Sequence, residues 1–190
     1  LNTTGKLFVF SAPSGSGKTT IVRKLLCEFD DLVFSISATT RKRRGNEVEG
    51  KDYFFISEDE FKRKIENDEF IEWEKFYDYY YGTLKSFVDK QLEQNKSVLL
   101  EVDVKGAVRI KKKYSNSVLI FIAPPSKEVL KQRLINRKTE TAEDLQKRIE
   151  RAEMELEYKD KFDYVVINEN LDKAIEEVKE IVKKEINKQE

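Results

Sequence analysis

The 190-residue chain has no histidine, one cysteine and no net charge, and each of these absences removes a class of function. Without histidine there is no Ser-His-Asp triad and no recourse to the commonest zinc ligand. The lone Cys27 cannot close an internal disulfide, which suits a reducing compartment, and its place in an apolar helical stretch predicts core packing. The 36 basic side chains cancel 36 acidic ones, so although 38% of residues are charged, the balance points neither to nucleic acid nor to an anionic membrane. No apolar run is long enough to span a bilayer, and there is no signal-peptide pattern, internal repeat or low-complexity linker. A single cytoplasmic domain without nucleic-acid or membrane partners is expected.

What is present begins with Ala12-Pro13-Ser14-Gly15-Ser16-Gly17-Lys18-Thr19-Thr20. It follows the apolar run Leu7-Phe8-Val9-Phe10 and precedes Ile21, Val22, Leu25, Leu26 and Phe29 at helical spacing. A glycine-rich loop between strand and helix cradles phosphate. Its N–H groups turn inward around the oxygens, its lysine reaches the β- and γ-phosphates, and the next hydroxyl ligates Mg²⁺. The helix dipole adds to the attraction. Ala12 stands where the usual pattern starts with glycine, which a residue with negative φ allows.

Short β-rich runs at 7–11, 32–37, 98–103, 118–123 and 164–168 alternate with helical patterns at 18–29, 105–114, 126–137, 141–159 and 171–187. This predicts an α/β fold with a largely parallel sheet flanked by helices. Ser126 and Thr141 are the expected N-caps, with Glu128 and Asp144 in the turns that follow. Residues 39–96 break the rhythm with aromatic-rich pieces around a polar helix, and read as a lobe inserted between core segments 1–38 and 97–190. In this lobe, Tyr77-Asp78-Tyr79-Tyr80-Tyr81-Gly82 is either a packed strand or a ligand wall. Thr39-Thr40-Arg41-Lys42-Arg43-Arg44-Gly45 has three readings: a solvated loop, a nucleic-acid patch, or the seat of a compact phosphate. The run is short and Glu47 and Glu49 follow at once, which favours the phosphate of a second ligand.

Taken in order, a series of segments resembles guanylate kinase. The series is Ser11 to Thr19, Ser37-Ala38-Thr39-Thr40-Arg41, Arg44-Gly45-Asn46-Glu47, Gly50-Lys51-Asp52-Tyr53, Phe70-Ile71-Glu72-Trp73 and Tyr80-Tyr81-Gly82-Thr83. It continues through Glu101-Val102-Asp103-Val104-Lys105-Gly106, Ile122-Ala123-Pro124-Pro125-Ser126 and Val166-Ile167-Asn168, so the likeness covers nearly the whole chain. The resemblance implies transfer of the γ-phosphoryl group of ATP to GMP, and to dGMP, with Mg²⁺. It also implies a P-loop core carrying a GMP-binding lobe and a small lid at 137–148.

By the family pattern, the loop from Ala12 to Thr20 would hold the ATP phosphates, with Arg133 and Arg137 beside them and Asn168 near the adenine. Arg41, Arg44, Tyr53 and Tyr81 would hold the GMP phosphate, with Glu47 and Gly82 in the same pocket. Glu72 would accept the guanine N1–H and amino group, with Ser37 and Thr83 completing recognition of the base. Asp103 and Glu101 would face GMP and the metal; Thr19 would ligate Mg²⁺ and Asp103 would reach it through water. Lys18, Arg41, Asp103, Arg137 and Arg148 would carry the catalysis, which for phosphoryl transfer consists of positioning and charge neutralisation.

Two departures stand out. Glu101 lies where relatives commonly have aspartate, and Asn136-Arg137-Lys138 where they have Gly-Arg-Gly. Two other functions compete: a protein-interaction module that keeps the fold without catalysis, and a P-loop enzyme with another acceptor or a GTPase. The intact loop and arginines argue against the first, and the Glu72, Ser37 and Thr83 set against another acceptor. Because donor and acceptor motifs lie on different segments, lobe and lid are expected to close over the two nucleotides.

Overall fold

The computed structural model describes residues 5–76, 78–136 and 142–188. Along the chain come β1 (Leu7–Ser11), α1 (Lys18–Glu28), β2 (Leu32–Phe34), β3 (Ser37–Thr39), β4 (Phe54–Phe55), α2 (Glu58–Glu66), β5 (Phe70–Phe76) and β6 (Tyr79–Leu84). There follow α3 (Lys85–Glu93), β7 (Ser97–Glu101), α4 (Val104–Lys113), β8 (Val118–Ala123), α5 (Lys127–Ile135), α6 (Ala142–Leu156), β9 (Tyr164–Ile167) and α7 (Leu171–Asn187).

The strands β2, β7, β1, β8 and β9 lie in that order in an all-parallel sheet. A parallel sheet is covered on both faces, so its inner strands read as unbroken apolar runs. Every residue of β1 and β8 is buried accordingly. One face packs on α1 and α7 through Phe8, Phe10, Leu25, Ile120 and Val178. The other packs on α3 and α4 through Val9, Val88, Leu100, Ala107 and Phe121. Truncating a fully buried member such as Phe10 to alanine would cost about 3–5 kcal/mol.

The second sheet, ordered β4, β3, β6, β5, is mixed: β3 runs parallel to β4 and antiparallel to β6. It has its own small core, in which Phe61 of α2 stacks on Phe70 at 4.3 Å and on Tyr80 at 5.3 Å. Gly82 permits this close packing, since a Cβ there would stand 2.8 Å from the Phe70 ring.

Three expectations need correcting. The single strand expected at 32–37 is two, because β2 joins the parallel sheet and β3 the mixed one, with Ser35 and Ile36 crossing between them. The strand expected to reach Asp103 ends at Glu101, and Asp103 is instead the N-cap of α4, accepting from Gly106 N at 2.6 Å. Cys27 is exposed, because α1 buries Ile21, Val22 and Leu25 and Cys27 falls on the opposite side of the helix. Ser126 caps α5 as expected, accepting from Val129 N at 3.2 Å, while Thr141 lies outside the described residues. Among the described residues no helix is long and apolar enough to cross a membrane.

Candidate active site

The segments after β1 and β7 leave the sheet side by side, with Phe10 beside Glu101, at the carboxyl edge where open parallel sheets bind ligands. In the loop after β1, Gly15 (φ +91°) and Gly17 (φ +87°) take the left-handed conformation that a Cβ disfavours. Ala12 keeps a negative φ, so the variant first position is unstrained. Gly17 is the N-cap of α1, which has neither a side-chain cap nor an acid in its first turn. Its leading N–H groups and the helix dipole therefore face any bound anion together.

Behind this loop, Asn168 donates Nδ2–H to the Ser16 carbonyl at 2.7 Å, and Arg133 donates to the Asn168 carbonyl at 3.0 Å. The fit is tight: a Cβ on Gly17 would lie 2.3 Å from Asn168 Nδ2. Asn168 and Arg133 thus brace the loop from behind rather than line the cavity in front of it.

Across that cavity stands the mixed sheet. Strand register sets Ser37, Thr83 and Glu72 in one row over β3, β6 and β5. Alternation then turns Tyr81, Glu74 and Phe76 to the same face. With the loop at 12–20, Tyr53, Gly82, Glu101, Val102, Asp103 and residues Arg148, Arg151 and Glu155 of α6, they enclose about 600 Å³. The tyrosine run serves both expected purposes by this alternation, since Tyr80 packs on Phe61 and Tyr81 faces the cavity. Thr83 does not line the cavity; it donates to Glu72 Oε1 at 3.0 Å.

Glu72 is 8% exposed, and burial pushes its carboxyl up to about 7, with the Thr83 bond opposing, Asp103 adding and Arg109 opposing. Glu74 is likewise pushed up to about 7, by burial first and Asp103 next. The crowding depends on Gly106, where a Cβ would sit 2.9 Å from Asp103 Oδ1 and 3.0 Å from Glu72 Oε2. Nearby, Glu101 Oε1 is buried with no hydrogen-bond partner.

Arg41 is buried beside this face. It donates to both oxygens of Glu47, at 2.7 and 3.0 Å, and to the Lys42 carbonyl at 2.8 Å, with the Tyr53 and Phe55 rings 5.4 and 5.8 Å from its guanidinium carbon. Glu47 also accepts from Arg44 N at 2.7 Å, and these bonds, the Arg41 one first, lower its carboxyl to about 2. The Arg44 side chain is exposed, and Arg41, Arg44 and Glu47 lie next to the cavity rather than in its lining.

A family profile described as Guanylate kinase matches residues 4–185. The chain belongs to the guanylate kinase family. A guanylate kinase of Thermotoga maritima is 49% identical over 181 residues, which cover 95% of this chain and 87% of that protein. Another, from Caldanaerobacter subterraneus subsp. tengcongensis, is 52% identical over 178 residues, covering 94% and 86%. Among solved structures, the crystal structure of guanylate kinase from Anaplasma phagocytophilum matches with a TM-score of 0.79 at 31% identity, over 100% of this chain and 90% of that one. The guanylate kinase likeness thus spans both sheets.

Of the residues expected from the guanylate kinase pattern, those of the loop, Ser37, Tyr53, Glu72, Tyr81, Gly82, Glu101, Asp103 and Arg148 meet in the cavity. Arg137 lies outside the described residues, as do residues 137–141 of the lid expected at 137–148, whose remainder forms the start of α6. Sequence reasoning missed Glu74, Phe76, Arg151 and Glu155. Glu74 and Phe76 follow Glu72 by two and four residues on a strand, and Arg151 and Glu155 follow Arg148 by three and seven on a helix, so periodicity carries the signal. Arg151 donates to Glu155 at 3.0 Å and lies over the Phe76 ring at 4.7 Å, which joins α6 to β5.

For a metal, the cavity offers the Thr19 hydroxyl and the Glu101 and Asp103 carboxylates, all hard oxygen donors. Among the described residues no group of three or more His, Cys, Asp or Glu side chains could hold an ion unaided. This donor set fits Mg²⁺, which keeps its waters and binds through one or two carboxylates plus substrate phosphates.

Proposed function

We propose that the chain transfers the γ-phosphoryl group of ATP to GMP, and to dGMP through the same base contacts, giving ADP and the guanosine diphosphate in the cytoplasm. The observation that carries this reading is the meeting, in one cavity, of the phosphate loop after β1 with the buried carboxylate of Glu72. The loop N–H groups and Lys18 bind the ATP phosphates. Thr19 would hold Mg²⁺ and Asp103 would reach it through water, with Glu101 lining the same cavity. When bound, Mg²⁺ would supply neutralisation of the phosphate charge.

Residues 39–96 act as the acceptor lobe. Glu72 receives the guanine N1–H and amino group, and the Thr83 bond fixes its orientation. Adenine offers no such pair of donors, and a buried acceptor left unpaired discriminates by roughly 10⁴-fold. Arg41, Arg44, Tyr53 and Tyr81 bind the GMP phosphate. Glu47 holds the Arg41 fork before the substrate arrives, so little side-chain freedom remains to be lost. Arg148, from the α6 side, and Arg137 neutralise the transferring group, and the lobe closes toward the core to bring the phosphates in line.

A coupled ADP-release assay with GMP, dGMP, AMP, UMP and no acceptor tests this. Turnover is expected with GMP and dGMP. Turnover with AMP but not GMP would sink the guanine assignment, and silence with every acceptor would favour an interaction module.

A further inference from the structure

Glu72 borders two cavities. Behind the large one lies a smaller space of about 280 Å³, lined by Ile65, Asp68, Phe70, Trp73, Arg109 and Lys112 among others. From this rear side Arg109 of α4 brings Nη2 to 3.7 Å from Glu72 Oε2 and donates to the Trp73 carbonyl at 3.3 Å. The helix is placed for it: Gly106 allows α4 to abut Glu72, and Arg109 follows one turn later on the same face.

The other groups facing Glu72 are acids or neutral. Asp103 at the start of α4 and Glu74 on β5 are acids, both of which favour protonation of Glu72, and Thr83 on β6 is an uncharged donor. Lys112 and Lys113 share the rear cavity, but Lys113 is paired with Asp68 at 3.1 Å. Among the described residues, Arg109 is the cation that forms an ion pair with Glu72. A protonated Glu72 would present an O–H toward guanine donors and lose an acceptor.

We propose that Arg109 is a positioning residue for guanine recognition, which ties β5 to α4 and keeps the Glu72 carboxylate ionised and aimed without touching the nucleotide. The inference rests on the reading of Glu72 as the base acceptor. As a half-exposed ion pair, Arg109 contributes little to global stability, so its effect is concentrated on its buried partner.

The test is GMP kinetics at saturating ATP for Arg109→Gln, Arg109→Lys and Glu72→Ala. Glutamine removes the charge and leaves a shorter, neutral N–H donor; lysine retains the charge. Loss of an opposite charge at this range moves a carboxyl by about one pH unit or more. From a starting point of about 7, Arg109→Gln then raises KM for GMP about fivefold at about pH 7 and less than about 1.5-fold at about pH 8.5. Arg109→Lys stays within about twofold of the parent throughout, and kcat changes less than KM in both. Glu72→Ala raises KM at every pH and makes a second change at Arg109 silent. An Arg109→Gln defect that is absent, or equal at both pH values, overturns the proposal, as does an Arg109→Lys protein as impaired as Arg109→Gln. If Glu72→Ala leaves KM for GMP unchanged, the base-acceptor reading itself fails and this inference with it. A raised KM in Glu72→Ala beside a normal Arg109→Gln overturns the Arg109 role alone.

Discussion

Replacing Glu72 by glutamine should stabilise the free protein above neutral pH while weakening its hold on GMP. The amide keeps the shape of the side chain and an oxygen for the Thr83 hydroxyl, now 3.0 Å away. In the parent the carboxyl lies at about 7 when folded, against an ordinary 4.5. Because the folded value is the higher, the contribution of this group is fully present below about 4.5, falls as pH rises through the interval, and is gone above about 7. At about 1.36 kcal/mol per pH unit the loss reaches roughly 3 kcal/mol, a large part of a typical 5–15 kcal/mol stability. Glutamine has no proton to lose. Its advantage should therefore be near zero at about pH 4.5 and approach roughly 3 kcal/mol at about pH 8.5. Glu74 is present in both proteins, and its coupling to Glu72 is part of the difference measured. Urea unfolding at the two pH values, with unchanged m, measures the difference. The same variant should raise KM for GMP, because glutamine offers guanine one acceptor and a competing donor. Equal stability differences at both pH values, or a less stable variant at alkaline pH, would refute the idea that burial of this charge is resisted by the free fold.

Lys18→Ala should abolish turnover while calorimetry still finds GMP bound, since the lysine belongs to the ATP loop. Gly17→Ala should cost about 1–2 kcal/mol in left-handed strain plus about 1 kcal/mol for the displaced Asn168 bond. Adding Asn168→Ala should then change little, so a denaturation cycle yields about 1 kcal/mol of coupling; strict additivity would contradict the bracing of the loop. Glu47→Gln should loosen the Arg41 fork and raise KM for GMP with KM for ATP unchanged. In the parent the Glu47 carboxyl, lowered to about 2, stays ionised until pH falls toward that value, so the fork adds no titration to GMP binding near neutrality.

The parallel core is legible in the sequence because a sheet covered on both faces must be apolar throughout, and segments such as 7–11 and 118–123 admit no other reading. Apolar content does not say which sheet a strand joins, so 32–37 reads as one element although Ser35 and Ile36 carry the chain from one sheet to the other. Lys18, Glu72, Tyr81 and Asp103 are recognisable by motif and do meet in the cavity. Glu74, Arg151 and Glu155 belong to no motif; periodicity sets them on the faces of Glu72 and Arg148, and only the fold shows that these faces of β5 and α6 share one cavity. The fork from Arg41 to Glu47 spans a loop with no periodicity, and the tie from Asn168 to Ser16 joins residues 152 positions apart, so neither leaves a local trace.

The exposed Cys27 on α1 acquires a use from its position. The chain contains one tryptophan and one cysteine. Trp73, 40% exposed, lies on β5 of the mixed sheet, whereas Cys27 lies on a helix of the parallel one. The native sequence therefore carries a donor and a single thiol for an acceptor dye on opposite halves of the molecule. Energy transfer between them is a ready-made optical ruler for the gap between the sheets, read without engineering a residue and with the label outside the cavity lining.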